Sequence, residues 1–126
     1  MTEIINTAHA PKAIGTYSQA VRCGNTVYLS GQIPLDPQTM ELCSSEVAKQ
    51  IVQVIKNLQA VCIAAGGELK HVVKLTVYLT DLSNFHLVNA AMEEYFTDPY
   101  PARVTLQASA LPRGALVEID AIMVLE

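Results

Sequence analysis

Val47, Ile51, Val54, Ile55, Leu58, Val61, Cys62 and Ala65 recur at helical spacing, and Gly66-Gly67 follows at once. This pattern predicts an amphipathic helix with Ser44 or Ser45 as its cap and a left-handed glycine as its stop. Glu46, Lys49, Gln53, Lys56 and Asn57 occupy the opposite face. A helix that is apolar along one side needs a second layer to cover it, and the flanking segments read as strands. In HVVKLTVYLT, residues 71 to 80, Val73, Leu75, Val77 and Leu79 alternate with Lys74, Thr76, Tyr78 and Thr80. The first set reads as a core face, and the mixed second set as a cavity lining or a subunit contact.

Gly24-Asn25 is a turn leading into a strand with Val27 and Leu29 on one face and Tyr28 and Ser30 on the other, stopping at Gly31. Asp36-Pro37-Gln38-Thr39 fits a type I turn, and Glu3 to Ile5 a short edge strand. Asp81-Leu82-Ser83 offers a cap for a second helix with the stripe Phe85, Val88, Met92, Tyr95 and Phe96, which DPYP then breaks. In PARVTLQASALPRGALVEIDA, residues 101 to 121, Val104, Leu106 and Ala108 alternate, as do Val117, Ile119 and Ala121. These read as two strands joined by a short Leu-Pro-Arg-Gly turn. The order β, β, α, β, α, β, β implies an α+β fold: one mixed sheet with two helices on one face and the other face left for partner subunits.

The 126 residues fit a single domain spanning 1–126. Apolar residues make up 51% against 16% charged, a high proportion for a small domain, so part of the apolar surface is expected to be covered in a homo-oligomer. Eight Lys and Arg against twelve Asp and Glu give a net charge of −4 without any basic run, so nucleic acid is not the expected partner. No apolar run approaches the roughly 18 residues of a membrane span, and the start has no signal core, so the expected location is cytoplasmic. Cys23, Cys43 and Cys62 have neither disulfide nor zinc spacing, and Cys62 lies in the helical stripe as a core residue. His9, His71 and His86 are scattered and form no metal-binding pair.

Tyr17 lies close behind Gly15, on a loop that can reach a cleft; the simpler reading packs its ring on the domain. Ser30-Gly31 at a strand end fits either a bulge or a site for a small anion. Asn89, at the edge of the second helical stripe, reads first as a solvated amide. Alternation sets Arg103, Thr105 and Gln107 opposite the apolar face of one strand, and Glu118 and Asp120 opposite that of the next. A guanidinium that holds a carboxylate and an acid that orients water then share one cleft, or they form a structural salt bridge; the pattern fits both.

AIGTYSQAV, VYLSGQIPLDP, AAG, VVKLTVYLTDLSNFHLVN, YF, PAR, LP and VEIDAI, in that order, resemble the RidA/YjgF family from about Ala13 to Ile122. The resemblance implies a chorismate-mutase-like fold assembled as a homotrimer, with ligand clefts between subunits. It implies hydrolysis of 2-imino acids, released as enamines by pyridoxal-phosphate enzymes, to 2-oxo acids and ammonium, with no cofactor. Carried over by motif, Arg103 grips the substrate carboxylate and Glu118 positions water. Tyr17, Ser30, Gly31 and Asn89 line the same cleft. A small 2-oxo-acid-binding regulatory module and a ribonuclease or translation inhibitor are the alternatives.

The chain departs from the family pattern at three positions. Thr105 replaces a cysteine common among deaminases, Thr16 a proline before Tyr17, and Met40 a turn glycine. The FTDPYPAR connection is also shorter than in some relatives.

Overall fold

The computed structural model describes residues 2–126. In chain order the elements are β1 (Thr2–Ile5), β2 (Ala20–Cys23), β3 (Thr26–Gln32), α1 (Val47–Ala64), β4 (Val72–Leu79), α2 (Phe85–Tyr95), β5 (Ala102–Gln107) and β6 (Val117–Val124). The strands form one mixed sheet in the order β1-β2-β3-β6-β4-β5. β4 and β5 run parallel, and the other pairs are antiparallel.

Two strand expectations are corrected by this order. Residues 101 to 121 are not a hairpin, because β4 lies between β5 and β6. β5 reaches β4 through the α2 crossover, as parallel pairing requires. The sheet also holds a strand absent from the expected order: β2 pairs with β3 across the two-residue turn Gly24-Asn25, with Gly24 at φ 61°.

Both helices cover one face. α1 buries Ile51, Val54, Ile55, Leu58, Val61 and Cys62 with Val27, Leu29, Leu75, Val77, Ile119, Ala121 and Met123 of the sheet. The stripe ends as expected: Gly66 adopts φ 93° and the Gly67 amide donates to the Cys62 carbonyl at 2.9 Å. The start differs, with Glu46 in the cap position and no side-chain cap bond, while Ser44 Oγ accepts from the Glu46 amide at 3.0 Å.

Asn57, expected on the solvent face, is only 1% exposed. Its amide donates to the carbonyls of Leu35 at 3.0 Å and Ile33 at 3.3 Å, fastening the segment after β3 onto α1. Gln50 is also buried; it donates to the Ser44 carbonyl and accepts from the Leu116 amide. On β4 the register shifts between Val72 and Lys74, so Val72 enters the core and Val73 turns outward, contrary to strict alternation.

Among the described residues, no helix lies over the second face. Cross-strand register puts Ile4, Val21, Tyr28 and Ile122 in one row, Asp120, Thr76 and Val104 in another, and Glu118, Tyr78 and Leu106 in a third. Ile4, Tyr28, Val104 and Leu106 are at least 37% exposed. The apolar set expected to be the core face of β5 therefore points away from the helices. Arg103 and Thr105 share the helix-side face with Leu75 and Val77. Among the described residues, no helix is long and apolar enough to cross a membrane.

Candidate active site

Glu118 lies on the open face of β6, beside a shift in register between Leu29 and Gln32 of β3. That irregularity contains Ser30 and Gly31. A Cβ on Gly31 would coincide with the Glu118 carboxylate, so glycine is what lets the carboxylate lie against the strand. Burial raises the Glu118 pKa, and Asp120 adds to the shift by repulsion. Tyr78 donates its hydroxyl to Asp120 at 3.2 Å, and the Asp120 charge raises the tyrosine pKa.

The loop before β2 forms the other wall. Ser30 Oγ donates to the Ser18 carbonyl at 2.6 Å, and the Ser30 amide to the Gln19 carbonyl at 2.9 Å. Gln19, a buried residue passed over in the sequence, donates to the carbonyls of Pro11 at 2.9 Å and Thr7 at 3.0 Å and accepts from the Thr7 amide at 2.7 Å. Its amide takes the place of secondary structure as the organiser of this loop. The Tyr17 hydroxyl accepts from the Ile14 amide at 3.2 Å, the backbone partner of the simpler reading, while the ring is 46% exposed. Tyr17, Ser30, Gly31, Glu118 and Pro112 line a cavity of about 280 Å³. Pro112 begins a 3₁₀ turn whose Arg113 (φ 61°) donates to the carbonyl of Met40 (φ 62°) at 3.1 Å. Met40 thus occupies the left-handed backbone region in place of a turn glycine.

Arg103 belongs to a second cavity, of about 420 Å³, with Asn89, Met92, Glu93, Tyr100 and Pro101. Its guanidinium lies 5.1 Å from the centroid of the Phe85 ring, within cation–π range. Burial lowers its pKa from a value so high that it remains a cation. The ion pairs among the described residues are Lys49–Glu46 and Lys70–Glu68, so a structural Arg103–Glu118 bridge is not what the fold builds. Two residues along β5, Thr105 Oγ1 is buried with no hydrogen-bond partner among the described residues.

The expected site residues therefore fall into two groups. Tyr17, Ser30, Gly31 and Glu118 meet on the open side, whereas Arg103 and Asn89 meet on the helix side, with Thr105 on the same face as Arg103. The single cleft inferred from alternation is corrected: β4 separates the two strands, and the two side chains leave opposite faces of the sheet. Of the cysteines, Cys62 is core, its thiol pushed up to about 12 by burial, and Cys23 and Cys43 are exposed.

A mixed six-stranded sheet with two helices on one side defines an α+β domain, with one cavity lined by Arg103 and Asn89 and another lined by Glu118 and Tyr17. The family model described as Endoribonuclease L-PSP matches residues 7–125. Protein DfrA of Myxococcus xanthus is 54% identical over 95% of this chain and 93% of its own. The human 2-iminobutanoate/2-iminopropanoate deaminase is 45% identical, covering 96% of this chain and 88% of that protein. The crystal structure of RidA from an Antarctic Psychrobacter superposes with a TM-score of 0.95 at 50% identity, covering 98% and 99% of the two chains. The chain belongs to the RidA/YjgF family.

Proposed function

We propose that the protein hydrolyses 2-imino acids, with 2-iminobutanoate and 2-iminopropanoate as substrates, in clefts formed between copies of a homotrimer. The observation that carries this reading is the pairing of an unbridged Arg103 with a Glu118 of raised pKa on opposite faces of a sheet with an uncovered apolar side. Neither half can complete the chemistry alone. When the open face of one copy meets the β5 edge of another, the guanidinium and the carboxylic acid reach the same ligand.

Arg103 then holds the substrate carboxylate through paired N–H donors, and Asn89 supplies an amide beside it. Glu118, from the other copy, accepts a proton as water oxygen adds to C2 and the C=N electrons move to nitrogen. Glu118 returns that proton to nitrogen to give the neutral carbinolamine; the hydroxyl proton then passes to nitrogen through Glu118 as the C–N bond breaks, so that ammonia leaves and the C2 carbonyl forms. The product is a 2-oxo acid. Orientation supplies much of the acceleration for so reactive an electrophile. The raised pKa of Glu118 suits it to accept and return a proton. Ser30 acts as a positioning residue, since its hydroxyl is committed to the Ser18 carbonyl. Tyr17 presents its exposed ring to the cleft, and Thr105 offers its unpartnered hydroxyl on the Arg103 side.

The endoribonuclease activity in the family description has less support here, because the net charge is −4 and, among the described residues, Arg103 is the only cation lining either cavity. The test supplies the imine from a threonine dehydratase and follows its decay. Arg103→Ala is expected to lower kcat/KM by about 10-fold to 150-fold, as loss of hydrogen bonds to a charged group implies. No acceleration by the wild-type protein, or full acceleration by Arg103→Ala, overturns the proposal. Tight 2-oxo-acid binding without turnover identifies a regulatory module instead.

A further inference from the structure

We infer that Glu93 and Tyr100 form a side-chain subsite beside Arg103 that favours 2-imino acids with a cationic side chain over those with an acidic one. This rests on the deaminase reading and adds a substrate class to it. Phe85, Asn89 and Glu93 follow one another at four-residue spacing along α2, so they form a ladder on one side of the helix. At its first rung Phe85 carries the Arg103 guanidinium. Asn89 and Glu93, the next two rungs, line the cavity that Arg103 enters.

Glu93 is two turns from Phe85, about 12 Å of helical rise. No ion pair joins it to Arg103 among the described residues, so the cavity holds a positive and a negative group held apart. A carboxylate gripped by Arg103 keeps its α-nitrogen close to the guanidinium, within the first few ångströms of the ligand. Glu93 therefore meets the far end of a longer side chain. The volume of about 420 Å³ leaves room for one. Tyr100, exposed on the same wall, adds an aromatic face suited to a guanidinium or ammonium group. Both groups disfavour a second carboxylate.

The test generates imines from arginine, norvaline and glutamate with an amino-acid oxidase and measures their accelerated decay. The wild-type protein is expected to prefer the arginine imine to the glutamate imine. Glu93→Gln is expected to reduce that ratio by about tenfold, the scale of one exposed charge acting with opposite sign on the two ligands, and Glu93→Lys to invert it. Glu93 is exposed, so both substitutions are compatible with folding. Hydrolysis of all three imines with an unchanged ratio in both variants overturns the subsite and leaves the deaminase reading intact. If no imine is hydrolysed, the deaminase reading fails. Calorimetric affinities for the three corresponding 2-oxo acids then report the same ratio, and equal ratios in wild type and variants overturn the subsite.

Discussion

Gly31 and Glu118 show how a single missing side chain sets the chemistry of an acid. The carboxylate occupies the space of the absent Cβ, and that half-buried position raises its pKa. Gly31→Ala displaces the flexible end of Glu118 toward solvent. Two effects are expected. The plateau of kcat/KM falls by about tenfold or more, because the acid no longer orients water. The acid limb of the pH profile moves to lower pH, because a better-solvated carboxylate ionises more readily. A fall in rate with an unmoved acid limb would show that burial against the strand does not set the pKa. Thr105 presents a different residue-scale feature: among the described residues its buried hydroxyl has no protein hydrogen-bond partner, and a ligand or a neighbouring copy can supply one.

At the level of elements, α1 fastens the loops as well as the core. Asn57→Ala leaves the carbonyls of Ile33 and Leu35 without their amide donor, at a cost of about 1–3 kcal/mol. Denaturant unfolding measures this as a lower midpoint with unchanged slope. The helical period of α1 was legible because eight apolar positions and a double glycine agree. Asn57 was not, because an amide beside the stripe looks solvated until the segment after β3 is seen to cross it. Alternation likewise located β5 and β6 but not their partners, which depend on the α2 crossover. It placed Glu118 correctly on the non-core face. For Arg103 the same rule failed, because Val104 and Leu106 mark a surface left open, not the core. Four-residue β2 carried too short a pattern, although the Gly24-Asn25 turn before β3 was its one legible sign.

Across the whole molecule, the open face is the feature that composition anticipated as apolar excess. Leu106 is exposed in the isolated chain, so Leu106→Asp should leave the fold intact and weaken association through a buried charge. For the proposed trimer, light scattering is expected to show the mass falling to that of the monomer, with the proposed imine hydrolysis lost in parallel. A variant that stays trimeric, or a monomer that keeps full activity, contradicts the shared cleft.

The placement of Arg103 and Glu118 on opposite faces also has a genetic consequence. In mixed trimers of Arg103→Ala and Glu118→Gln chains, about a quarter of the clefts combine an intact arginine from one parent with an intact glutamate from the other. Refolding the two impaired proteins together is expected to restore activity in about that proportion, whereas each alone stays at its reduced rate. No recovery would show that one chain supplies both groups. Two loss-of-function alleles of the same gene are thus expected to rescue each other.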